Sequence, residues 1–127
     1  MTAIPATVGT FSSLVPMAHV ASVPRSIAFY DRLGFAVRDV FTPPGQSEPE
    51  WAWLQSRGAI LMVVRAGAPV NGAPIILCLY CDDVPAFHAL LRQAGVPVDE
   101  ITYPPERPSG RFRVTDPDGY DLAITHS

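Results

Sequence analysis

The sequence predicts an α+β fold made of two copies of one strand–helix–strand–strand–strand module. Two amphipathic helical segments each begin at a capping residue followed by proline, end at a glycine, and are flanked by apolar strand-like runs. The second half repeats the first, because the helix-ending Gly34 and Gly95 lie 61 positions apart. The same offset relates two double prolines and two hairpin glycines, which are Pro43–Pro44 with Pro104–Pro105 and Gly58 with Gly119.

Module one is expected at residues 14–66, after an N-terminal arm at residues 1–13. A short apolar strand from Leu14 to Ala21 leads into a helix that Ser22 caps and whose first turn holds Pro24. The strands predicted after this helix are Phe35–Phe41, Trp51–Gln55 and Ala59–Arg65. Module one is therefore predicted to contain one helix and four strands.

Module two is expected at residues 74–126, after a linker at residues 67–73, and completes a single domain over residues 14–127. The run from Ile75 to Cys81 is strand-like, and Asp82 or Asp83 caps the helix that follows. The remaining predicted strands are Val96–Tyr103, Arg111–Thr115 and Tyr120–Thr125, the last two joined by a type I turn at residues 116–119. The repeat needs no gap from Leu14 to His126.

The composition excludes several classes of function. The formal net charge is −3 with nine lysines and arginines, which argues against a nucleic-acid surface and is compatible with a cationic ligand. No apolar run approaches the roughly 18 residues that span a bilayer. The N-terminal residues have neither the basic start nor the apolar stretch of a secretory signal. We therefore expect a cytoplasmic protein with no nucleic-acid or membrane partner.

The two cysteines form a CxxC pattern inside the predicted strand Ile75–Cys81. Residues i and i+3 of a strand point to opposite faces, so Cys78 and Cys81 are expected to form neither a disulfide nor a shared metal site. With no second pair, the pattern does not predict zinc. We interpret both cysteines as buried free thiols.

Three segments resemble a known family. SVPRSIAFYDRLGF (residues 22–35) is similar to the first-module signature of the glyoxalase/bleomycin resistance protein/dioxygenase superfamily, also called vicinal oxygen chelate proteins. CDDVPAFHALLRQAGV (residues 81–96) and VTDPDGYDLAI (residues 114–124) resemble its second helix and final hairpin. The resemblance implies two βαβββ modules that form a cup-shaped mixed sheet with helices outside.

The resemblance also implies four positions at which metal-dependent members carry ligands, typically His and Glu, one on each of four strands. In this sequence these positions are Val15, Met62, Ile76 and Ala123. None offers an oxygen or nitrogen donor, and a thioether sulfur suits only soft metals. We therefore expect no metal, no other cofactor and no catalytic residue at these positions.

Strand alternation predicts the side chains that line the cup. The floor is expected to be apolar, with polar and aromatic groups toward the rim, as in many small-molecule pockets. The expected ligand-binding residues are Val15, Met17, His19, Trp51, Trp53, Met62, Ile76, Cys78, Tyr80, Arg113, Asp121 and Ala123.

Two aromatic residues of this set have alternative interpretations. A gapless repeat equates Trp51 and Trp53 with Phe112 and Val114. The tryptophans either stack on a flat or cationic ligand or pack in the core beneath a helix.

The polar residues of the set are also open to two interpretations. His19 and Tyr80 are equivalent in the repeat, and they either hydrogen-bond a ligand or lie at solvated strand ends. Asp121 could join them, and Arg113 either binds an anionic group or faces solvent.

The resemblance favours a metal-independent small-molecule-binding protein of the bleomycin-resistance type, which sequesters a drug or metabolite and so confers antibiotic resistance. It implies a homodimer whose cups form between the chains, and the ligand is expected to be aromatic or cationic. One alternative is a lyase, isomerase or dioxygenase with an altered site that uses His19, Tyr80 or Asp121. The other is a non-catalytic regulatory or interaction subunit.

Overall fold

The structure, a computed structural model, describes residues 13–70 and 75–126. The N-terminal arm up to residue 12, linker residues 71–74 and Ser127 lie outside the described residues. Module one contains β1 (Met17–Val20), α1 (Val23–Arg32), β2 (Ala36–Phe41), β3 (Trp51–Ser56) and β4 (Ala59–Arg65). Module two contains β5 (Ile76–Cys81), α2 (Val84–Gln93), β6 (Arg111–Thr115) and β7 (Asp121–His126). The predicted α+β fold of two repeated modules is confirmed.

Each module forms its own mixed sheet. In module one the strand order is β1-β4-β3-β2, with β1 parallel to β4 and the other neighbours antiparallel. In module two the order is β5-β7-β6, with β5 parallel to β7. The parallel pairs share one register, since Met17 lies opposite Met62 and its repeat equivalent Cys78 lies opposite Ala123.

The helix signals act as the sequence predicts. The Ser22 hydroxyl accepts a hydrogen bond from the Arg25 backbone N–H at 3.2 Å, and of the two candidate caps for α2, Asp83 accepts from the Ala86 N–H at 3.0 Å. Gly34 and Gly95 follow the helices at φ angles of 92° and 80°, a region that favours glycine.

The predicted strand Val96–Tyr103 is wrong. This segment has a single bridge to the sheet, between Thr102 and Arg111. Pro97 has no N–H to donate, and the Asp99 carboxylate, rather than a backbone carbonyl, accepts the Arg113 N–H at 2.6 Å. The described part of module two therefore has three strands where module one has four.

The gapless repeat is also wrong, at one hairpin. Four residues separate the paired Gln55 and Ile60 in module one, whereas five separate the paired Thr115 and Asp121 in module two. Between β3 and β6 the true offset is therefore 60, whereas it is 61 for the two helices and for the strands β4 and β7 that follow the turns. As a result Trp51 and Trp53 correspond to Arg111 and Arg113, not to Phe112 and Val114.

The two modules share one core on the helix side of both sheets. Alternate strand residues point into it, while the residues between them stay partly exposed. Its largest fully buried side chains come from both modules and include Val23, Tyr30, Leu54, Leu91, Phe112 and Leu122.

A polar cluster joins the turn of module two to α1 of module one. We call Tyr30, Asp116, Asp118 and Tyr120 the docking cluster. The Tyr30 hydroxyl donates to Asp116 Oδ2 at 2.8 Å, and the Tyr120 hydroxyl donates to the His19 carbonyl at 2.9 Å. Asp118 Oδ1 accepts from the Ala21 N–H at 2.8 Å, at the N-terminus of α1, where the helix dipole favours a negative charge.

Two ion pairs between turns and helix starts occupy related places in the repeat. On one side, Asp118 of the module-two turn pairs with Arg25 of α1 at 3.2 Å. On the other, Arg57 of the module-one turn pairs with Asp82, just before α2, at 3.4 Å. In the first pair the turn carries the negative charge and the helix the positive one, whereas in the second pair the turn carries the positive charge and the residue before the helix the negative one.

The docking cluster predicts a loss of stability at alkaline pH. Burial and the neighbouring Asp116 hold the pKa of Tyr30 well above its usual range. Above about pH 10 the unfolded chain therefore binds fewer protons than the folded chain, so the free energy of unfolding falls, by up to about 1.4 kcal/mol per pH unit. Below about pH 10 the Tyr30 hydroxyl is protonated in both states, so its contribution to the free energy of unfolding is fully present. Urea unfolding between pH 8 and 11 should show a shallower decline for Tyr30→Phe, with Tyr103→Phe as an exposed control. Equal slopes for wild type and Tyr30→Phe would contradict the assignment.

Candidate functional site

Module one presents a continuous aromatic surface on the side of its sheet opposite α1, which we call face one. Strand pairing places its members in two rows. One row is Met17, Met62, Trp53 and Asp39, and the next is His19, Val64, Trp51 and Phe41. The tryptophans therefore lie on face one, whereas their strand neighbours Ala52 and Leu54 are buried beneath the sheet.

Face one groups several apolar side chains that are partly or half exposed. Met17 is 50% exposed and Phe41 55% exposed, and both indoles are partly open. The Trp53 Nε1–H donates to the Gln55 side-chain oxygen at 3.3 Å, which fixes the plane of that ring. Exposed apolar side chains grouped in this way are typical of a ligand or protein contact surface.

Module two presents a more polar surface, which we call face two. Its rows are Ile76, Asp121 and Thr115; Cys78, Ala123 and Arg113; and Tyr80, Thr125 and Arg111. Tyr80 is 54% exposed, whereas Ala123 and Thr125, on the central strand, are buried beneath their neighbours. The accessible part of face two is therefore its outer strands.

Positive charge dominates face two. Arg113 lies 3.7 Å from Asp121, and both side chains are almost half exposed, so this pair is weak. The Arg107 guanidinium, from the loop before β6, lies 5.7 Å from the centre of the Tyr80 ring, a cation–π distance. With Arg111, face two offers three guanidinium groups and one carboxylate.

Within one chain, face one and face two belong to separate sheets. A cavity of about 240 Å³ lies between the modules, and Ile76 and Cys78 of face two contribute to its lining. Its helix-side lining residues come from both modules and include Tyr30, Phe35, Leu61, Leu77, Leu79 and Leu122. Because the helix sides meet each other, both faces are left on the outside of the chain.

The predicted site residues accordingly fall into two groups of six. The structure brings together Met17, His19, Trp51, Trp53 and Met62 on face one, with Val15 just before β1. It brings together Ile76, Cys78, Tyr80, Arg113, Asp121 and Ala123 on face two. His19 and Tyr80 thus lie on different faces of one chain. Sheet packing, which a sequence does not display, decides this division.

The cysteines point to opposite faces of β5, as the strand period requires. Cys78 is exposed on face two and Cys81 is half-buried on the helix side. The interpretation of Cys78 as a buried thiol is therefore wrong, because β5 is an edge strand and its outward face is open.

The side chains at the four family positions do not fit a metal ion. Val15, Ile76 and Ala123 offer no donor atom, and Met62 offers only a thioether. Within residues 13–70 and 75–126, no three His, Cys, Asp or Glu side chains lie close enough together to hold one elsewhere.

Four residues of the faces were not predicted from the sequence. Asp39 and Phe41 lie beside the tryptophans, and the alternation of β2 could have indicated them had its register with β3 been known. Thr115 lies beside Asp121, with 3.4 Å between their oxygens. Arg107 reaches Tyr80 from a loop, and no periodic pattern indicates such a contact.

Comparison with known proteins gives a family and a fold. The family model for the Glyoxalase/Bleomycin resistance protein/Dioxygenase superfamily matches residues 15–124. No curated protein sequence matches significantly. In the part of the chain that the structure describes, no helix is long and apolar enough to cross a membrane.

Solved structures share the fold at low identity. A bleomycin-binding protein complexed with bleomycin is 20% identical with a TM-score of 0.71, covering 92% of this chain and 99% of that one. TnmS3, an antibiotic binding protein from Streptomyces sp. CB03234, is 22% identical with a TM-score of 0.70, covering 93% and 97%. A lactoylglutathione lyase from Agrobacterium tumefaciens is 20% identical with a TM-score of 0.66, covering 91% and 94%. With the family model matching most of its length, the chain belongs to the glyoxalase/bleomycin resistance protein/dioxygenase superfamily.

Proposed function

We propose that this protein binds a flat aromatic drug or metabolite without a metal ion, in cups that form between the two chains of a homodimer. The observation that carries the proposal is the exposed aromatic row of face one, where Trp51 lies between Val64 and Phe41. A monomer that left this surface and the half-exposed Ile76 and Tyr80 of face two in water would be unusual.

The dimer is supported by the complementary chemistry of the two faces. Face one supplies flat apolar rings and face two supplies guanidinium donors. A ligand between them would stack its ring on Trp51 or Trp53 and offer hydrogen-bond acceptors to Arg113. Because one chain carries each face once, a two-fold dimer with face one against the partner's face two contains two equal cups.

Two structural neighbours support the ligand class. One is named as a bleomycin-binding protein in complex with bleomycin, and another as an antibiotic binding protein. We therefore propose sequestration of a drug or metabolite in the cytoplasm as the role of this chain.

Tryptophan fluorescence gives a direct test of binding. The chain has two tryptophans and both lie on face one, so any quenching reports that face. Suitable probes are bleomycin, the flat cation 9-aminoacridine and the flat anion anthraquinone-2-sulfonate. We expect at least one to quench with a micromolar Kd, unchanged by EDTA, and Trp53→Ala to weaken binding at least about tenfold, or about 1.4 kcal/mol. Leu14→Ala, which changes an exposed apolar residue outside both faces, is the matched control.

Mixing two defective variants tests whether cups form between chains. Trp53→Ala weakens binding through face one and Arg113→Ala weakens binding through face two. In a mixed dimer one cup receives both changes and the other receives neither, so random exchange should restore about a quarter of the sites. Calorimetric titration measures that fraction. A cup formed within one chain would leave the mixture as inactive as its components, and a monomer in sedimentation would also overturn the proposal.

A further inference from the structure

A second cavity lies between the modules, on the helix side of the sheets. Its volume is about 360 Å³, and we call it the inter-module cavity. Its walls come from the end of α1, the module-one turn, β5 and α2, including Phe35, Ala59, Leu79, Phe87, Leu90 and Ile124. Of the residues on faces one and two, only Tyr80 contributes to its lining among the described residues.

The repeat shows what fills the equivalent space on the other side of the molecule. There the module-two turn meets α1 through the docking cluster, and the Tyr120 ring fills the space between them. In the inter-module cavity the module-one turn meets α2 with the same approach, through Arg57 and Asp82. Ala59 stands at the position equivalent to Tyr120, so a methyl group replaces a phenol ring.

The hydrogen-bond acceptor that Tyr120 uses also has an equivalent. In β1 the carbonyls of Pro16 and Val20 bond to N–H groups of Met62 and Ala66, so the intervening His19 carbonyl points the other way, to Tyr120. β5 has the same parallel register with β7 and lies at the edge of its sheet. By the same alternation, the Tyr80 carbonyl points away from β7.

The lining suits a neutral ring. Leu79, Phe87, Leu90 and Ile124 are apolar, and Leu90 is 61% exposed at the cavity edge. Burial raises the pKa of the Cys81 thiol, so this wall stays uncharged at neutral pH. The charges of Arg57 and Asp82 are largely exposed, which places them at the mouth.

We propose that the inter-module cavity binds a small phenol-type ligand, whose ring takes the place of the Tyr120 ring and whose hydroxyl donates to the Tyr80 carbonyl. A benzene ring is accommodated by an apolar cavity of about 150 Å³. The volume of about 360 Å³ therefore admits a substituted or fused phenol. Of faces one and two, this site uses only the Tyr80 backbone carbonyl, and it does not depend on their proposed role.

Titration with p-cresol, the free form of a tyrosine side chain, tests the proposal, with toluene as the ring without the hydroxyl. We expect p-cresol to shift the backbone NMR signals of Cys81, Phe87 and Ile124, to leave the indole signals of Trp51 and Trp53 unchanged, and to bind at least fivefold tighter than toluene. Shifts confined to the indole signals, or equal affinity for the two ligands, would overturn the proposal.

Two variants close the cavity from different walls. Ala59→Tyr supplies the missing ring and should abolish the p-cresol shifts while raising the melting temperature. Ala86→Trp, on the exposed first turn of α2, should also abolish the p-cresol shifts. It provides the same test if Ala59→Tyr folds poorly. Leu14→Ala should bind p-cresol as wild type does. Unchanged p-cresol binding in a folded Ala59→Tyr or Ala86→Trp protein would overturn the assignment.

Discussion

Replacing Asp116 by alanine is expected to lower the free energy of unfolding by about 3 to 5 kcal/mol. The carboxylate accepts from the Tyr30 hydroxyl through Oδ2 at 2.8 Å, and from the N–H groups of Asp118 and Tyr120 through Oδ1 at 2.9 Å each. Alanine leaves the Tyr30 hydroxyl and two N–H groups of the turn without this acceptor, and it removes one of the contacts that join the modules. Urea unfolding monitored by tryptophan fluorescence measures the loss.

Asp116→Asn is the matched control for this loss. Its side-chain oxygen can still accept from both N–H groups, and its amide can donate to the Tyr30 oxygen, so we expect a cost of about 1 kcal/mol. In addition, Asp116→Ala should cost less in a Tyr30→Phe background, because no hydroxyl is then stranded. If the alanine and asparagine variants were equally stable, the docking cluster would not join the modules as described.

Replacing Gly110 by alanine is expected to cost about 3 kcal/mol of stability and to weaken ligand binding. Gly110 has a φ angle of 106°, and an added Cβ would lie 2.9 Å from Ile101 Cγ2 and 3.2 Å from Tyr103 Cε1. Its carbonyl also accepts from the buried Thr125 hydroxyl at 3.0 Å. Relief of the clash would displace the loop that holds Arg107 over Tyr80 on face two. Urea unfolding and titration of a ligand that quenches the wild type measure the two effects.

Gly45→Ala separates backbone strain from crowding. Gly45 also has a positive φ angle, 81°, but nothing lies within 4 Å of its added Cβ. We expect it to cost about 1 kcal/mol and to leave ligand affinity unchanged. Equal losses in the two glycine variants would show that the contacts around Gly110 do not matter.

Much of the fold could be predicted from the sequence because it depends on local signals such as helix caps and helix-ending glycines. Ser22, Gly34 and Gly95 act through hydrogen bonds and backbone angles within a few residues, so their roles follow from the sequence. The prediction of a strand at Val96–Tyr103 was wrong because its pairing depended on a contact distant in sequence, in which the Asp99 carboxylate accepts a hydrogen bond from the Arg113 N–H. The alternation of apolar residues, from which the strand was predicted, is the same whether a side chain or a backbone carbonyl accepts this N–H.

The outward strand positions were predictable from the sequence, but their division between two faces was not. Period-two alternation placed Met17, His19 and Tyr80 on outward strand faces. The repeat equivalent of Trp51 was misjudged, because one extra residue in the module-two turn shifts the alignment of β3 with β6 by one position and so exchanges their faces. The separation into two outward faces follows from packing between the modules, for which the sequence carries no local signal.

The exchanged charges of the two turn-to-helix ion pairs have a consequence for which modules can dock on each other. Two copies of module one docked on each other would place Arg57 of one turn against Arg25 of the other helix, and two copies of module two would place Asp118 against Asp82. Both like-with-like pairings are repelled, and only the mixed pairing brings opposite charges together.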